Sequence, residues 1–241
     1  MNKKIRVTIL DDHQNIIDGY VFRLSADPQI EVVATIGFGE LLEPTLAQHP
    51  TDVLLLDLSV PTSVENPNPY PVLYAIPKLL QAYAGLNILV ISMFAERGLI
   101  RAVMEAGASG YILKDDQATA RDLGSVVVSV AGGSIHFSKQ AHQLYTKHLS
   151  KESNLLSPRQ LEALSLCAAY PNNTTALLAN IMAVSNSTVR NLLSSAYLKL
   201  EVNNRAAAIA RAQQLGLITP NPSTHLKQDT RPRQSGVIRR G

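Results

Sequence analysis

The sequence predicts an open, doubly wound α/β sheet of five parallel strands, followed by a smaller all-α domain of four helices. Short apolar runs alternate with stretches of helical pattern over residues 1–131, as in buried parallel sheets covered by helices. Four of these runs end in a polar residue. Residues 155–218 instead carry apolar positions at helical spacing, which predicts a separate helical domain.

The order of the elements in the first part indicates which sheet they form. The strands are predicted near residues 5–10, 31–36, 53–57, 87–91 and 110–113, and the helices near 14–26, 39–48, 70–84, 95–106 and 118–131. Five consecutive βα units of this kind favour a flavodoxin-like sheet with the strand order 2-1-3-4-5.

Polar residues follow four of the predicted strands. Asp11 and Asp12 follow the first, Asp57 the third, Ser92 the fourth and Lys114 the fifth. The carboxyl ends of parallel strands share one edge of a sheet, so these side chains should meet. Three neighbouring carboxylates favour a cation, and Mg²⁺ prefers oxygen ligands. We expect Asp11, Asp12 and Asp57 to hold Mg²⁺, Asp57 to accept a phosphoryl group as nucleophile, and Lys114 and Ser92 to contact its oxygens.

A known family carries the same residues in the same order. The stretches "ILDDH", "LLLDLSVP", "VISMF" and "GASGYILK" resemble the receiver domain of two-component response regulators, over residues 4–131. The resemblance implies that Asp57 is the phosphoacceptor and that Asp11 and Asp12 bind Mg²⁺. It also implies that Tyr111 is the aromatic residue that swings inward when Ser92 moves. An ordinary aromatic residue packed on the sheet is an equal alternative for Tyr111.

The segment after Asp57 is unusually rich in proline. Pro61, Pro67, Pro69 and Pro71 exclude a helix interior or a central strand, so residues 58–71 are predicted to form a long, stiff loop. Receivers usually have a shorter loop here. The loop either restricts access to Asp57, forms a surface for a partner, or is a neutral insertion of the kind that surface loops tolerate.

The second domain begins with a clear helix start. Ser157 is a typical N-cap and Pro158 suits the first helical position. Four short helices, with a tight turn between the second and third, indicate a helix-turn-helix. The stretches "LSPRQLEAL" and "STVRNLLSSAYLKLEVNNRAAAIARA" resemble the LuxR-type output domain of the NarL/FixJ class, over residues 155–218.

The resemblance assigns residues 186–200 to the recognition helix. Its buried face is predicted to be Val189, Leu193, Ala196 and Leu200, at helical spacing. The face left for DNA carries Ser187, Thr188, Arg190, Asn191, Ser194 and Lys199. Arg and Asn side chains read base edges in the major groove, whereas Lys199 is better placed for phosphate. The net charge of residues 155–218 is +3, which is modest for a DNA-binding domain.

One further segment joins the two domains, and another follows the second domain. Residues 132–154 begin with Gly132 and Gly133 and are predicted to be a linker, with modest helical character over 138–149. Residues 219–241 form a basic tail that is predicted to be disordered. It is either an arm that contacts DNA phosphates or a solvated tail.

The composition of the chain excludes membrane-spanning proteins and proteins held together by a disulfide framework. The chain has 241 residues, one cysteine and no apolar run long enough to span a membrane. We therefore expect a cytoplasmic protein without a disulfide framework. Residues 1–131 carry a net charge of −6 and residues 132–241 carry +9, which suits a metal site in the first part and a polyanion partner for the second.

The resemblance implies a phosphorylation-controlled transcription regulator. A sensor histidine kinase would phosphorylate Asp57, and a homodimer would bind paired promoter half-sites. Such a protein is not a turnover enzyme. Two alternatives remain open. One is a regulator of the same fold that acts without phosphorylation or through a protein partner. The other is an aspartate-nucleophile phosphatase, which usually has a second Asp where this chain has Ser59.

Overall fold

The computed structural model describes residues 4–146 and 155–220. The first range forms a sheet flanked by helices, and the second forms four helices. Residues 147–154 of the predicted linker and residues 221–241 of the predicted basic tail lie outside the described residues. Within the described ranges, no helix is both long and apolar enough to cross a membrane.

One sheet of six parallel strands organises the first part of the chain, in the order β2-β1-β3-β4-β5-β6. The strands are β1 (Ile5–Leu10), β2 (Ile30–Ile36), β3 (Val53–Leu56), β4 (Asn87–Ser92), β5 (Gly110–Leu113) and β6 (His136–Phe137). The order of the first five confirms the predicted 2-1-3-4-5. Every residue of β3 and β5 is buried, because helices cover both faces of the sheet.

Seven helices accompany the sheet in residues 4–146. They are α1 (Gln14–Ser25), α2 (Leu42–Gln48), α3 (Val72–Ala82), α4 (Arg97–Glu105), α5 (Gln117–Arg121), α6 (Leu123–Ala131) and α7 (Lys139–Thr146). The apolar residues of α1 and α6 pack on one face of the sheet, and those of α2, α3 and α4 pack on the other. The single helix predicted near 118–131 is divided into α5 and α6, because Asp122 leaves the helical conformation (φ −98°, ψ 22°).

The sheet has six strands where the sequence predicts five. His136 and Phe137, inside the predicted linker, pair with Gly110 and Tyr111 of β5. The backbone of β5 would otherwise carry unpaired groups along the edge of the sheet. Gly110 permits this pairing, because a Cβ at that position would lie 2.3 Å from the carbonyl oxygen of His136. Residues 136–146 therefore belong to the folded first part of the chain and are not a free linker.

The proline-rich segment 58–71, here called the finger, is an ordered hairpin between β3 and α3. Pro61 and Pro69 face each other in an antiparallel bridge, and the Thr62 amide donates to the Asn68 carbonyl at 2.8 Å. The predicted long loop between β3 and α3 is confirmed, and its internal hydrogen bonds are those of a hairpin. Its base is fixed against the short 3-10 helix Gly39–Leu41 that precedes α2, because the Gly39 amide donates to the Pro61 carbonyl at 3.0 Å.

The second part of the chain is a compact set of four capped helices. They are α8 (Pro158–Ala169), α9 (Thr175–Met182), α10 (Asn186–Lys199) and α11 (Arg205–Gln214). Each begins with a side chain that accepts a backbone hydrogen bond, from Ser157, Thr174, Ser185 and Asn204 in turn. Ser157 and Gln160 form a reciprocal capping box at the start of α8. Val189, Leu193, Ala196 and Leu200 are all buried, as predicted.

Candidate functional site

Three of the predicted site residues meet at the carboxyl edge of the sheet. Asp11 follows β1, Asp57 follows β3 and Lys114 follows β5. The Lys114 ammonium donates to Asp11 Oδ2 at 2.7 Å and to Asp57 Oδ2 at 2.8 Å. The side chains of Asp11 and Asp57 are 1% exposed and that of Lys114 is 7% exposed. The structure therefore brings together residues that lie 103 positions apart in the sequence.

The electrostatics of this cluster depend on the lysine. Burial raises the pKa of Asp57; the Lys114 charge opposes this rise, and Asp11 adds to it. Burial alone would lower the pKa of Lys114, but the charges of Asp57 and Asp11 outweigh it and the pKa is raised. Lys114 thus stays protonated and partly compensates two buried carboxylates. Removing one member of such a buried set leaves an uncompensated charge.

Asp12 stands at the exposed side of the same cluster. Its carboxylate lies 2.8 Å from Nδ1 of His13, and Asp11 Oδ1 lies 3.4 Å from the same nitrogen. Ligand atoms of Asp11, Asp12, His13 and Asp57 all lie within 4.8 Å of one another. The three carboxylates are hard oxygen donors, so the donor set fits a divalent cation. The ring of His13, the next residue after the acid pair, belongs to the same group of potential ligands.

Ser92 and Tyr111 lie beside the cluster and share one backbone neighbour. The Ser92 hydroxyl accepts a hydrogen bond from the Phe94 amide at 3.2 Å, and the Tyr111 hydroxyl donates to the Phe94 carbonyl at 2.8 Å. Both residues have no exposed surface. Burial raises the pKa of Tyr111, so its hydroxyl remains a donor. Tyr111 therefore occupies the inner position, in contact with the loop between β4 and α4.

Most of the predicted DNA-facing residues lie on the open side of α10. Ser187, Thr188, Arg190, Asn191 and Ser194 are exposed, whereas Lys199, also exposed, directs its ammonium to Gln160 at the start of α8. The Ser185 hydroxyl caps the helix and lies 2.8 Å from the hydroxyls of both Ser187 and Thr188. The first turn of α10 is thus held by its own side chains, while Arg190 and Asn191 extend from the next turn.

Gln160 joins α10 to the start of α8, a link that the sequence did not reveal. Its side chain donates to the Ser195 hydroxyl at 2.8 Å and accepts from the Lys199 ammonium at 3.1 Å. Gln160 is 5% exposed, so these are interior contacts that set the angle between the two helices. The reach of Gln160 across to α10 depends on tertiary packing.

Comparison with known proteins identifies the second part of the chain. Residues 154–212 match the family model described as "Bacterial regulatory proteins, luxR family". The transcriptional regulatory protein DegU of Brevibacillus brevis is 28% identical over 238 residues, which cover 89% of this chain and 95% of DegU. The transcriptional regulatory protein DesR of Bacillus subtilis (strain 168) is 29% identical over 213 residues, covering 88% of this chain and 98% of DesR.

Solved structures with the same fold extend over both parts. RcsB of Salmonella enterica serovar Typhimurium, bound to the promoter rprA with the phosphomimetic BeF₃⁻, superposes with a TM-score of 0.62 at 23% identity, covering 87% of this chain and 98% of that one. The isolated REC domain of the same protein gives a TM-score of 0.50 at 22% identity, covering 59% and 99%. The chain thus matches the luxR family model in its second part, is similar to transcriptional regulatory proteins over most of its length, and shares the two-part fold of RcsB.

Proposed function

We propose that this chain is a transcription regulator controlled by phosphorylation of Asp57. The observation that supports this most is the Lys114 ammonium, which lies within 2.8 Å of both Asp11 and Asp57. An ammonium placed between a metal-binding acid and a nucleophilic carboxylate suits charge compensation during phosphoryl transfer.

In the proposed reaction, a carboxylate oxygen of Asp57 attacks phosphorus and a new P–O bond forms. The bond between phosphorus and the donor breaks, and the leaving group takes its electron pair. The donor is the phosphohistidine of a sensor kinase or a small acyl phosphate. Asp11, Asp12 and Asp57 would hold Mg²⁺, which supplies positive charge to the phosphoryl oxygens. Lys114 and the Ser92 hydroxyl contact the same oxygens from the protein side.

The output of the proposed switch is DNA binding by α10. Arg190 and Asn191 stand on its exposed face and have side chains that read guanine and adenine edges. Lys199 would contact phosphate, for which its ammonium must leave Gln160. Helix-turn-helix proteins bind paired half-sites as dimers, so we infer a homodimer on promoter DNA. The named relatives are transcriptional regulators, which favours this function over the phosphatase alternative. We place the protein in the cytoplasm, where kinase and promoter both occur.

One observation keeps a second candidate function open. Leu198, near the end of α10, is 80% exposed, and exposed leucines on a recognition helix suit a protein contact better than a phosphate. A regulator that works through a protein partner would use this surface. Selection of duplexes from a random pool separates the two, because a regulator that contacts only protein enriches no sequence motif.

The assignment of Asp57 has a direct test. The protein is incubated with Mg²⁺ and acetyl phosphate, and its intact mass is measured. We expect one added phosphoryl group on the wild type, none on Asp57→Ala, and none on the wild type in excess chelator. An unmodified wild type, or equal addition to Asp57→Ala, overturns the proposal.

A further inference from the structure

The finger runs from the phosphoacceptor site to the output helices. It begins at Leu58, directly after Asp57, and its tip reaches α8 of the second domain. There, Nδ2 of Asn66 donates to the carbonyl oxygen of Ala169 at 2.9 Å. Ala169 is the last residue of α8, and the final carbonyls of a helix have no partner within it. The tip therefore supplies a donor to a group that needs one.

Asn66 is held in position by the finger itself. Its Oδ1 accepts from the Asn68 amide at 3.2 Å and from Asn68 Nδ2 at 2.7 Å. The Asn66 amide donates to the Ser63 carbonyl at 3.2 Å. With Oδ1 occupied inside the finger, Nδ2 is directed outward, so the tip is organised before it meets α8.

Helix α3 makes a second contact of the same kind, from side-chain donors to a carbonyl at the carboxyl end of an output helix. The Tyr74 hydroxyl and the Lys78 ammonium both donate to the carbonyl oxygen of Ile181, in the last turn of α9, the latter at 3.1 Å. A cation also suits the negative end of a helix dipole. Finger and α3 thus hold the output domain by the carboxyl ends of its first two helices.

The two domains also approach closely between α4 of the receiver and the helices α8 and α11 of the output domain, a surface here called the seam. A Cβ on Gly98, at the start of α4, would lie 2.8 Å from the carbonyl oxygen of Gly216, which follows α11. Ala102 of α4 is 7% exposed and, with Leu161 of α8, lines a cavity of about 150 Å³ in the seam. The two domains therefore approach closely at Gly98, while a cavity remains beside Ala102.

This docking reaches the carboxyl end of α10, where Lys199 lines a cavity with Gly98 and Arg101 of α4. Arg190, Asn191 and Ser194 remain exposed while the seam is closed. The docked receiver therefore does not act by hiding the residues predicted to read DNA. What it fixes is the position of the output domain relative to the receiver.

The base of the finger is joined to the phosphoacceptor. The Ser59 amide donates to Asp57 Oδ1 at 3.2 Å, and Leu58 and Val60 on either side have no exposed surface. A change at the Asp57 carboxylate removes or redirects the hydrogen bond of Ser59. Because the finger is a stiff, internally bonded hairpin, a shift at its base moves its tip.

We propose that the finger is a latch that holds the output domain through Asn66 and releases it when Asp57 is phosphorylated. This inference rests on the proposed function for its phosphorylation step only. The finger couples Asp57 directly to α8. This coupling does not involve Ser92, Phe94 or Tyr111. Release frees the orientation of the output domain, so that two copies reach the spacing of paired half-sites.

The test measures how often the seam opens. An Ala102→Cys variant of the full chain places a thiol in the seam, and its alkylation by a bulky maleimide requires the domains to separate. Cys167 is fully buried within the output domain, so its alkylation in the same sample reports unfolding. Peptide mass spectrometry follows both thiols.

In this background, Asn66→Asp keeps the acceptor that Asn68 uses but removes the donor to Ala169 and puts a negative charge at a helix carboxyl end. Without any phosphodonor, we expect alkylation of the introduced thiol to become roughly 3- to 10-fold faster. Val64→Asp adds the same charge at a finger position that is 76% exposed and should leave the rate unchanged. Asn66→Ala should also accelerate it, and Cys167 should stay unmodified throughout.

Equal rates for Asn66→Asp and Val64→Asp overturn the latch. With the finger intact, phosphorylation confirmed by mass should raise the rate by a similar factor, and a phosphorylated sample with the unphosphorylated rate overturns the coupling to Asp57. Absence of any added phosphoryl mass contradicts the proposed function instead, and the comparison of the finger variants stands apart from it.

Discussion

The cluster around Lys114 and the open face of α10 use polar side chains in opposite ways. In the cluster, Asp11, Asp57 and Lys114 are buried and compensate one another at distances below 3 Å. On α10, Arg190 and Asn191 are exposed to solvent. Changes in the cluster should therefore alter the stability of the fold as well as its chemistry, whereas changes on α10 should alter binding alone.

The largest expected effect comes from removing the cation of the cluster. Lys114→Met leaves two buried carboxylates without their common partner, and we expect the free energy of unfolding to fall by about 3 kcal/mol without Mg²⁺. Urea denaturation measures this loss. Addition of Mg²⁺ should restore more stability to the variant than to the wild type, because a divalent cation replaces the missing charge.

Lys139→Met removes the same charge from an exposed position and should change the free energy of unfolding by less than about 0.5 kcal/mol. If the two lysine variants were equally stable, the buried cluster would not depend on Lys114 as described.

A smaller effect, of a different kind, is expected on α10. Arg190→Ala should weaken binding to a selected duplex by about 1–3 kcal/mol, because a base contact is lost. Its unfolding midpoint should match that of the wild type. Fluorescence anisotropy with the selected duplex measures the affinity. Arg159→Ala removes an equal charge from the exposed start of α8 and should cost less. A loss no greater than that of Arg159→Ala would contradict the placement of the recognition face.

The next prediction concerns Asp116, which caps α5. Its burial is intermediate between that of the cluster around Lys114 and that of the open face of α10. Its carboxylate accepts from the amides of Ala118 and Thr119 and from that of Lys139 in α7. Asp116→Ala should lower the free energy of unfolding by about 1 kcal/mol at neutral pH. Asp115→Ala, at the exposed neighbouring position, is the control and should be close to neutral.

The effect of Asp116 should depend on pH. The hydrogen bond from the Thr119 amide lowers the pKa of the Asp116 carboxyl group most, and those from the amides of Lys139 and Ala118 lower it further. The stabilisation is therefore complete above the pKa of the unfolded chain and is lost as the pH falls through the lower, folded-state pKa. Denaturation curves of wild type and Asp116→Ala should converge in acid, and a constant difference would show that the carboxylate charge is irrelevant.

The last of these predictions concerns the reactivity of Cys167 and involves no change in stability. Burial raises the pKa of its thiol to about 11, so little thiolate forms at pH 8. A disulfide reagent should modify the folded chain roughly 100-fold more slowly than the urea-unfolded chain. Rapid modification of the folded protein would mean that the interior of the output domain opens easily.

The sequence predicted the cluster better than its surroundings. Asp11, Asp57 and Lys114 each follow an apolar run of strand length, and the rule that parallel strands share one edge is enough to bring them together. β6 has two residues, His136 and Phe137, and such a pair carries no periodic pattern. It forms because the edge of β5 needs partners, which is a tertiary requirement.

The contacts between the domains had no local signal at all. The proline content of the finger predicted stiffness, but the meeting of Asn66 with Ala169 depends on how two separately folded parts dock. The same holds for the link from Gln160 to Lys199. For α10, helical spacing predicted the buried face correctly, since Val189 and Leu193 pack inward wherever the helix is placed.

The most direct test asks whether phosphorylation in the cluster around Lys114 changes DNA binding by α10. A duplex selected with the full chain is titrated with wild type and with Asp57→Ala, each before and after treatment with Mg²⁺ and acetyl phosphate, and binding is followed by fluorescence anisotropy. We expect the treatment to change the Kd of the wild type at least about 5-fold and to leave that of Asp57→Ala unchanged. A phosphorylated wild type whose Kd equals that of the untreated protein would contradict this expectation.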